Sequence, residues 1–287
     1  MKKKLAVILA LSMAIGTVLA GCGNASGDVV QSDTVAEDSG AEDSDAEDSD
    51  AEDAGLVYAV ESGSAGEEAA NDNGFQTNVV ASQADALMEV ASGMSDAAII
   101  DLLMAGAMIG EGTSYPNMKY TTELTTEEYG VGCRKGSDLA SYINAVLAET
   151  YADGSLQKTA VVYGVQEALV EQPASEFTAS ADDSDVAHIQ DKGTLIVGIT
   201  DFAPMDYKDE SGEWIGFDAD MARIVAEKLG VEAQFVEIDW DTKTMELESG
   251  NIDVVWNGMT LTDEVRSAME CTNPYCKNAQ VIVVPTN

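Results

Sequence analysis

The chain has 287 residues, with 52 acidic against 14 basic side chains and a formal net charge of -38. A chain this acidic is an implausible partner for nucleic acid, so a nucleic-acid-binding function is excluded. His188 is the only histidine. A histidine-based metal site or catalytic triad therefore has no support, and no cofactor is expected.

The first residues are typical of a leader for export. Three lysines at positions 2–4 precede an almost unbroken apolar stretch from Leu5 to Leu19, and Ala20, Gly21 and Cys22 follow directly. This order resembles a bacterial lipoprotein signal with its lipobox, so residues 1–22 are predicted to be the signal. Cys22 would then carry a lipid that anchors the remaining chain outside the cytoplasm. A transmembrane helix is disfavoured because the run is short for a bilayer that needs about 20 apolar residues.

Residues 23–54 are predicted to form a disordered acidic tether. The motif AEDSD recurs between residues 28 and 53 without an aromatic residue. Such a segment cannot bury enough apolar surface to offset the entropy lost on ordering. A calcium loop is the alternative, but the turn glycine and the terminal glutamate of an EF-hand loop are absent.

Beyond the tether, short branched strands alternate with amphipathic helices in two segments, Leu56 to about Val165 and Gly193 to Val284. Residues 166–190, which separate them, are rich in Glu, Ser, Ala and Asp. The pattern predicts an α/β fold with two lobes, each a mainly parallel sheet flanked by helices. Ligand crevices are expected where strand C-termini meet helix N-termini.

Both segments read as β-α-β-α-β in chain order. The first is predicted to contain strand Leu56–Val60, a helix from Ser62, strand Asn78–Val80, helix Gln83–Ser92 closed by Gly93, and strand Ala97–Ile100. The second is predicted to contain strand Thr194–Ile199, helix Asp218–Leu229 capped by Asp218 and stopped by Gly230, strand Gln234–Ile238, helix Thr242–Ser249 closed by Gly250, and strand Ile252–Trp256. The all-branched run Val281–Val284 reads as an interior strand.

Several of these stretches resemble one known family. GTLIVGITDFAPMDYKDESGEWIGFDADMARIVAEKLG (193–230) is similar to the opening of an extracytoplasmic amino-acid-binding protein, the family 3 solute receptor of an ABC importer. ESGNIDVVWNGMTLTDE (248–264) and NPYCKNAQVIVV (273–284) are similar to the end of lobe one and the first crossing strand of that family. The resemblance implies the two-lobe type II periplasmic-binding fold, a small solute such as an amino acid, and a membrane permease as partner.

The remaining motifs of the family precede these in the chain. LVYAVESGSAGEEAA (56–70) resembles the start of lobe two, GMSDAAIID (93–101) its third strand, and LTTEEYGVGCRKGSDL (124–139) the second crossing strand. The resemblance therefore implies a circular permutation. Its parts would be lobe two at 55–127, the crossing strand and return helices at 128–165, a linker joining the old termini at 166–190, and lobe one with the other crossing strand at 191–287. Val281–Val284 would then lie beside the one covalent crossing that the chain keeps, near Tyr129–Arg134. The alternative is a fusion of two receptor copies that completes itself by swapping with a neighbour.

The resemblance also implies ligand-binding residues. Asp101 matches the carboxylate that binds the ammonium, although it could merely cap the next helix. Ser64, with the amides of Ala65 and Gly66, would bind a carboxylate at a helix N-terminus, or cap that helix. Phe202 and Trp240 match aromatic walls, with core packing as the alternative, and Trp240 is expected to be exposed between two aspartates. The loop residues that match are Asn257, Gly258 and Thr260.

One position departs from the family pattern. Where the family has TxER, with the arginine clamping the solute carboxylate, this chain has Val265, and Arg266 follows one residue later. A shift of one residue turns a helical side chain by about 100°, so whether Arg266 takes over that role stays open. Apart from Cys22, the chain has Cys133, Cys271 and Cys276, which allows at most one disulfide, nearest in sequence between Cys271 and Cys276, or none with all three cysteines simply buried.

Two classes of function follow from the resemblance. The favoured one is a binding protein without catalytic residues, whose lobes close on a solute and deliver it to an ABC permease. The other is an enzyme, because the wider family includes periplasmic dehydratases acting on prephenate-like acids, with Glu61 or Asp101 as general acid. A sensor that presents the solute to a receptor is a third alternative.

Overall fold

The computed structural model describes residues 55–180 and 184–286. The predicted signal, Cys22 and the acidic tether lie outside the described residues. The strands are β1 (Val57–Glu61), β2 (Gln76–Val80), β3 (Ala97–Asp101), β4 (Met118–Glu123), β5 (Glu127–Cys133), β6 (Thr194–Ile199), β7 (Tyr207–Lys208), β8 (Trp214–Ile215), β9 (Glu232–Glu237), β10 (Val254–Thr260), β11 (Glu270–Cys271), β12 (Cys276–Asn278) and β13 (Gln280–Pro285).

The helices lie between these strands in an alternating order. They are α1 (Ala65–Asp72), α2 (Gln83–Ser92), α3 (Leu102–Met108), α4 (Leu139–Ala152), α5 (Ser155–Tyr163), α6 (Asp185–Lys192), α7 (Phe217–Leu229), α8 (Lys243–Glu248) and α9 (Asp263–Ala268). Short 3-10 turns occupy Gln166–Ala168 and Trp240–Thr242. Within the described ranges, none of these helices has the length and apolar content of a membrane span.

Two sheets flanked by helices form the framework, which confirms the α/β fold. The sheet of lobe two has the strand order β2-β1-β3-β13-β4, and the sheet of lobe one has the order β11-β5-β10-β6-β9, with β12 also paired to β5. In each sheet three strands run parallel, β2-β1-β3 in one and β10-β6-β9 in the other. The remaining pairs are antiparallel, because β13 in one sheet and β5 in the other run opposite to their neighbours. The sheets are therefore mixed rather than mainly parallel, because the crossing segments supply strands of opposite direction.

Local capping signals set the ends of several helices. The Ser82 hydroxyl accepts a hydrogen bond from Asp85 N (3.0 Å) at the start of α2, and Gly93 ends this helix in the left-handed conformation with φ of 73°. Gly230, with φ of 77°, ends α7 in the same way. Helices α2 and α7 therefore end at the glycines that the sequence indicated.

The prediction that Asp218 caps α7 is wrong. The helix begins at Phe217 after Gly216, and Asp218 is buried within its first turn. Its Oδ2 atom accepts hydrogen bonds from Gly258 N and Tyr275 Oη, each at 2.7 Å. Asp206 is also buried, and both of its carboxylate oxygens lack a partner among the described residues. Burial, followed by the charge of Asp218, raises the pKa of Asp206 well above its usual range.

Two long antiparallel segments join the lobes. Residues 276–278 pair with 127–129, so β12 lies beside β5 in lobe one. Val281 and Val283 instead pair with Glu123 and Tyr120 of β4, and with Ile100 and Ala98 of β3, in lobe two. The expectation that Val281–Val284 lie beside Tyr129–Arg134 is therefore wrong. The chain crosses earlier, between Asn278 and Gln280, and the branched run is an inner strand of lobe two.

The predicted linker is packed against lobe one. Val170 N donates to Tyr275 O (2.9 Å), and the ring of Phe177 contacts Tyr142 edge to face at a centroid distance of 5.0 Å. Helix α6 begins inside the segment because Ser184 caps it by accepting from Ala187 N (3.1 Å). Its buried residues Val186 and Ile189 hold it in place. The composition of this segment gave no sign of these contacts.

The three described cysteines are free thiols. Cys133 and Cys276 are buried in β5 and β12, and Cys271 is half-buried in β11. Burial raises the pKa of the Cys133 and Cys276 thiols well above their usual range. The nearest pair in sequence, Cys271 and Cys276, is thus not joined in the described structure.

Candidate functional site

A cavity of about 380 Å³ lies between the two lobes. Lobe two contributes the ends of β1 and β3 and the start of α1, whereas lobe one contributes the end of β10, the Trp240 turn and α8. Strand C-termini and a helix N-terminus therefore meet at the cavity, as the α/β pattern predicts. The predicted site residues among its lining are Ser64, Ala65, Asp101, Phe202, Trp240, Asn257, Gly258 and Thr260.

Ser64 starts helix α1 at the edge of the cavity. Its Oγ atom accepts a hydrogen bond from Glu67 N at 3.1 Å, so the capping alternative describes an observed contact. Gly66, in the first turn, is closely packed, because an added Cβ would lie 3.0 Å from both Ile99 O and Gln280 Oε1. The first turn of α1 is thereby held tightly against β3 and β13.

Asp101 ends β3 as a buried, fully engaged carboxylate. Its Oδ1 atom accepts from Tyr129 Oη (2.6 Å), Gln280 Nε2 (3.1 Å) and the Asn278 amide, and its Oδ2 atom accepts from the Gln83 amide. Burial raises its pKa to about 7, helped by the charge of Glu127 and opposed by these hydrogen bonds. The helix α3 that follows receives no side-chain cap from Asp101. The protein itself thus supplies the donors that Asp101 needs.

Glu61 ends β1 beside Asp101 and lines the same cavity. Its side chain is 4% exposed, and its Oε1 atom has no hydrogen-bond partner among the described residues. Burial raises the pKa of Glu61 to about 8, and the neighbouring charge of Asp101 adds to this. The sequence suggested Glu61 only as a general acid of the enzyme alternative, whereas in the structure it is a buried carboxyl group of the cavity wall with one oxygen that has no partner among the described residues.

The lobe one wall is built around Gly258. This residue has φ of 56°, and an added Cβ would lie 2.4 Å from Phe202 Cε1, so only glycine lets the ring of Phe202 cover the end of β10. The Asn257 side chain is used internally, since its amide donates to Thr200 Oγ1 (2.7 Å) and its oxygen accepts from Thr200 N (2.9 Å). Thr260 Oγ1 donates to Glu127 Oε2 at 2.9 Å.

Trp240 is buried rather than exposed, with 8% of its surface accessible. The expectation of exposure is wrong because Lys243, three residues later, lies over the indole at 4.8 Å from the ring centroid. Lys243 Nζ donates to Trp240 O (3.1 Å) and, across the cleft, to Gly63 O (2.9 Å). Burial lowers the pKa of Lys243, while the nearby carboxylates of Glu61 and two further residues act to raise it. Lys243 therefore links the two lobes at the cavity.

Sequence reasoning did not identify Lys243, because its role depends on the approach of Gly63 from the other lobe. Gly63 has φ of 67°, and an added Cβ would lie 2.7 Å from Asp241 Cα. The main chains of the two lobes are thus in close contact at this point. The sequence signal for a tight approach is the glycine itself, within the turn after β1.

Arg266 lies outside this cavity. It is exposed and lines an adjoining cavity of about 620 Å³, and its Nε atom donates to Leu261 O at 3.2 Å. Helix α9 begins at Asp263 after the cap Thr262, which brings Val265 to the cavity wall. One residue further along the helix, Arg266 is turned away. A carboxylate clamp by Arg266 therefore has no support in this arrangement.

The cavity is strongly acidic. Lys243 is the only lysine or arginine in the described part of the chain that lines it. The lining carboxylates are Glu61, Glu67, Glu68, Asp72, Asp101, Asp241 and Glu264. Within the described ranges, no group of three or more His, Cys, Asp or Glu side chains is placed to hold a metal ion. The arrangement can enclose a small polar solute and attract positive charge.

Comparison with known proteins finds similarity in one segment of the chain. Residues 195–287 match the family model of bacterial extracellular solute-binding proteins, family 3. The chain is 33% identical over 96 residues to the L-cystine-binding protein TcyJ of Escherichia coli and 36% identical over 95 residues to a probable amino-acid ABC transporter-binding protein of Haemophilus influenzae. It is also 29% identical over 101 residues to the cyclohexadienyl dehydratase of Pseudomonas aeruginosa.

These matches cover only part of each protein. They include 33%, 33% and 35% of this chain and 36%, 37% and 38% of the three relatives, so the chain spans little more than a third of their length in each match. The part matched by the family model nevertheless includes β7 to β13 and all but the first residue of β6, with Phe202, Trp240 and the Gly258 loop of the cavity wall. Residues 195–287 of this chain are therefore similar to the bacterial extracellular solute-binding proteins of family 3.

Proposed function

We propose that this chain is an extracytoplasmic solute-binding protein that captures an amino acid or a similar small polar solute between its lobes. The observation that carries the proposal is a cavity lined by both lobes at their strand ends, in a chain whose residues 195–287 match the solute-binding family. Relatives named for cystine and amino-acid binding support this class of solute.

Closure of the lobes would enclose the solute. The chain crosses between the lobes from β4 to β5 and from β12 to β13, and these two adjacent crossings would act as the hinge. The contact between Gly63 and Asp241 would limit closure. Lys243 would hold the closed form by donating to Gly63 O across the cleft. Exclusion of water from the cavity strengthens every polar contact made to the solute.

The proposal includes the partners of the protein. The chain would be anchored to the membrane by a lipid on Cys22, outside the cytoplasm, and would deliver its solute to an ABC permease. A Cys22→Ala variant tests the anchor, because it should move the protein from the membrane fraction to the soluble fraction. Uptake of labelled solute by cells that carry either form would test delivery.

Thermal-shift screening of amino acids and small carboxylates against the full chain tests the binding function. A solute present at 100 times its Kd should stabilise the fold by about 2.7 kcal/mol. Thr244→Trp, which places a bulky ring in the cavity wall, should remove the shift, whereas Met245→Trp, next to it but 59% exposed, should keep it. A shift that survives Thr244→Trp would place binding elsewhere, and no shift with any solute would overturn the proposal.

An enzymatic function is the second candidate. The raised pKa of Glu61 (about 8) would keep this group largely protonated near neutral pH, as a general acid requires, and the raised pKa of Asp101 (about 7) would leave that group about half protonated. The acidic lining disfavours a dianionic acid as substrate, so we favour binding. Turnover of a prephenate-like acid that is lost in Glu61→Gln would reverse this preference.

We also propose that the order of the lobes is a circular permutation. Strand β5 and helices α4 and α5, early in the chain, pack with β10 and α7 of the later segment. A rearranged chain that places residues 184–286 before residues 55–180 retains helix α6 and the packed segment before it, and it should keep the fold and bind the same solute with the same Kd. Light scattering that shows a dimer in solution would favour strand swapping between two copies instead.

A further inference from the structure

One carboxyl group of the cavity has an acceptor that the protein leaves unused. Only 4% of the surface of Glu61 is accessible to solvent, and its Oε1 atom lacks a hydrogen-bond partner among the described residues. A buried polar group without a hydrogen bond loses its contacts with water and receives nothing in return, and an unpaired buried charge is more unfavourable still. Glu61 also lines the space in which a solute would lie. A donor from the solute would remove this cost.

Lys243 is not that donor. The salt bridges of the described residues do not include Glu61, and the Nζ atom of Lys243 is directed to the carbonyl oxygens of Gly63 and Trp240. The Gln83 amide lies beside Glu61, but it also donates to Asp101. Neither neighbour satisfies Oε1.

Asp101 provides the contrast. It accepts from four side chains, those of Gln83, Tyr129, Asn278 and Gln280, and it therefore has few acceptor positions left for a solute. Glu61 has the same burial and lies in the same wall, yet it keeps a free acceptor. Of the two buried carboxyl groups, Glu61 is the one with room for an added cation.

The surroundings favour positive charge in the solute. Apart from Lys243, which is held by carbonyl oxygens, the lining offers carboxylates and no other lysine or arginine within the described residues. We infer that Glu61 is a cation-binding position, and that the solute carries a side-chain ammonium or guanidinium group that donates to Oε1. This inference rests on the proposed solute-binding function and specifies the class of solute.

The raised pKa of Glu61 should make the affinity for a cationic solute depend on pH. Its neighbours include the carboxylates of Asp101 and Asp85, which raise this pKa, and the Lys243 ammonium and the Gln83 amide, which lower it. A bound cation would favour the charged form of Glu61, so binding would release a proton below about pH 8. The affinity for a cationic solute should therefore rise with pH up to about 8 and then level off.

Matched solutes test the inference with the unmodified full chain. Isothermal titration compares arginine with citrulline, which replaces the guanidinium by a neutral group of the same shape, and lysine with norleucine. We expect arginine or lysine to bind at least tenfold more tightly than its neutral counterpart. In Glu61→Gln this ratio should fall by tenfold or more, and melting temperature and circular dichroism report whether that variant is folded.

The outcomes separate the inference from the function on which it rests. If citrulline or norleucine binds as tightly as its cationic counterpart, or if only neutral or acidic amino acids bind, the inference is overturned and the binding function stands. If a folded Glu61→Gln keeps the full preference for the cation, Glu61 is not the position that reads the charge. If none of these solutes, no other amino acid and no small carboxylate of the thermal-shift screen binds, both proposals are overturned.

Discussion

Closure at Gly63 can be tested with one added methyl group. In Gly63→Ala the new Cβ would lie 2.7 Å from Asp241 Cα and 2.9 Å from Asp241 Cβ, closer than such contacts occur in proteins. Neither Asp241 atom can move by a side-chain rotation, so the lobes must separate. Separation would stretch the 2.9 Å hydrogen bond from Lys243 Nζ to Gly63 O. A hydrogen bond to a charged group contributes about 1.5–3 kcal/mol, which is about 10- to 150-fold in Kd.

Gly74→Ala is the matched control for this variant. Gly74 has φ of 68° against 67° for Gly63, and an added Cβ would meet nothing within 4 Å. Both variants therefore incur the same backbone cost of about 1–2 kcal/mol, which urea denaturation would measure. Only Gly63→Ala should weaken solute binding in isothermal titration. A Kd for Gly63→Ala within threefold of that for Gly74→Ala would refute closure at this contact.

Three further predictions concern stability and the adjoining cavity. The folded chain retains the proton of Asp206 above the unfolded pKa of 3.8, so this group makes the free energy of unfolding fall as pH rises above about 4, by up to about 1.4 kcal/mol per pH unit. Asp206→Asn should flatten that slope in urea unfolding between pH 5 and 7, and an unchanged slope would contradict the assignment. Val283→Ala, in the buried inner strand of lobe two, should lower the free energy of unfolding by about 2 kcal/mol. Val79→Ala, at a position that is 48% exposed, should lower it by less than about 0.5 kcal/mol. Equal losses in chemical denaturation would argue against the observed pairing of β13. Arg266→Met should leave the Kd of the solute within about threefold by titration, and a loss of tenfold or more would return Arg266 to the site.

Local sequence signals predicted much of the fold. Helix α2 and strand β6 have the predicted bounds, and the other predicted strands differ by a few residues, because serine caps, glycine stops and branched runs act within a few positions. Asp218 could not be predicted in this way. Its partners Gly258 and Tyr275 lie 40 and 57 residues away, and a capping pattern in the sequence contains no information about them.

The candidate site was predictable to the extent that it follows sheet topology. The resemblance placed Asp101, Ser64 and the Gly258 loop at strand ends that meet in one cavity. It could not indicate that Asp101 is saturated by donors from four segments, or that Glu61 is not. Hydrogen-bond saturation depends on the register of β13 and β5, and a shift of one residue would direct Gln280 away from Asp101.

The two crossing segments also determine how the molecule should come apart. Strands β4 and β5 are separated by only three residues, β12 and β13 by one, and each pair contributes to both sheets. In both pairs one strand belongs to the sheet of lobe two and the other strand to the sheet of lobe one. Unfolding of either sheet therefore removes strands that hold the connected strands of the other sheet in place. Heating should therefore produce a single calorimetric endotherm for the described body, although its outline suggests two independently melting halves.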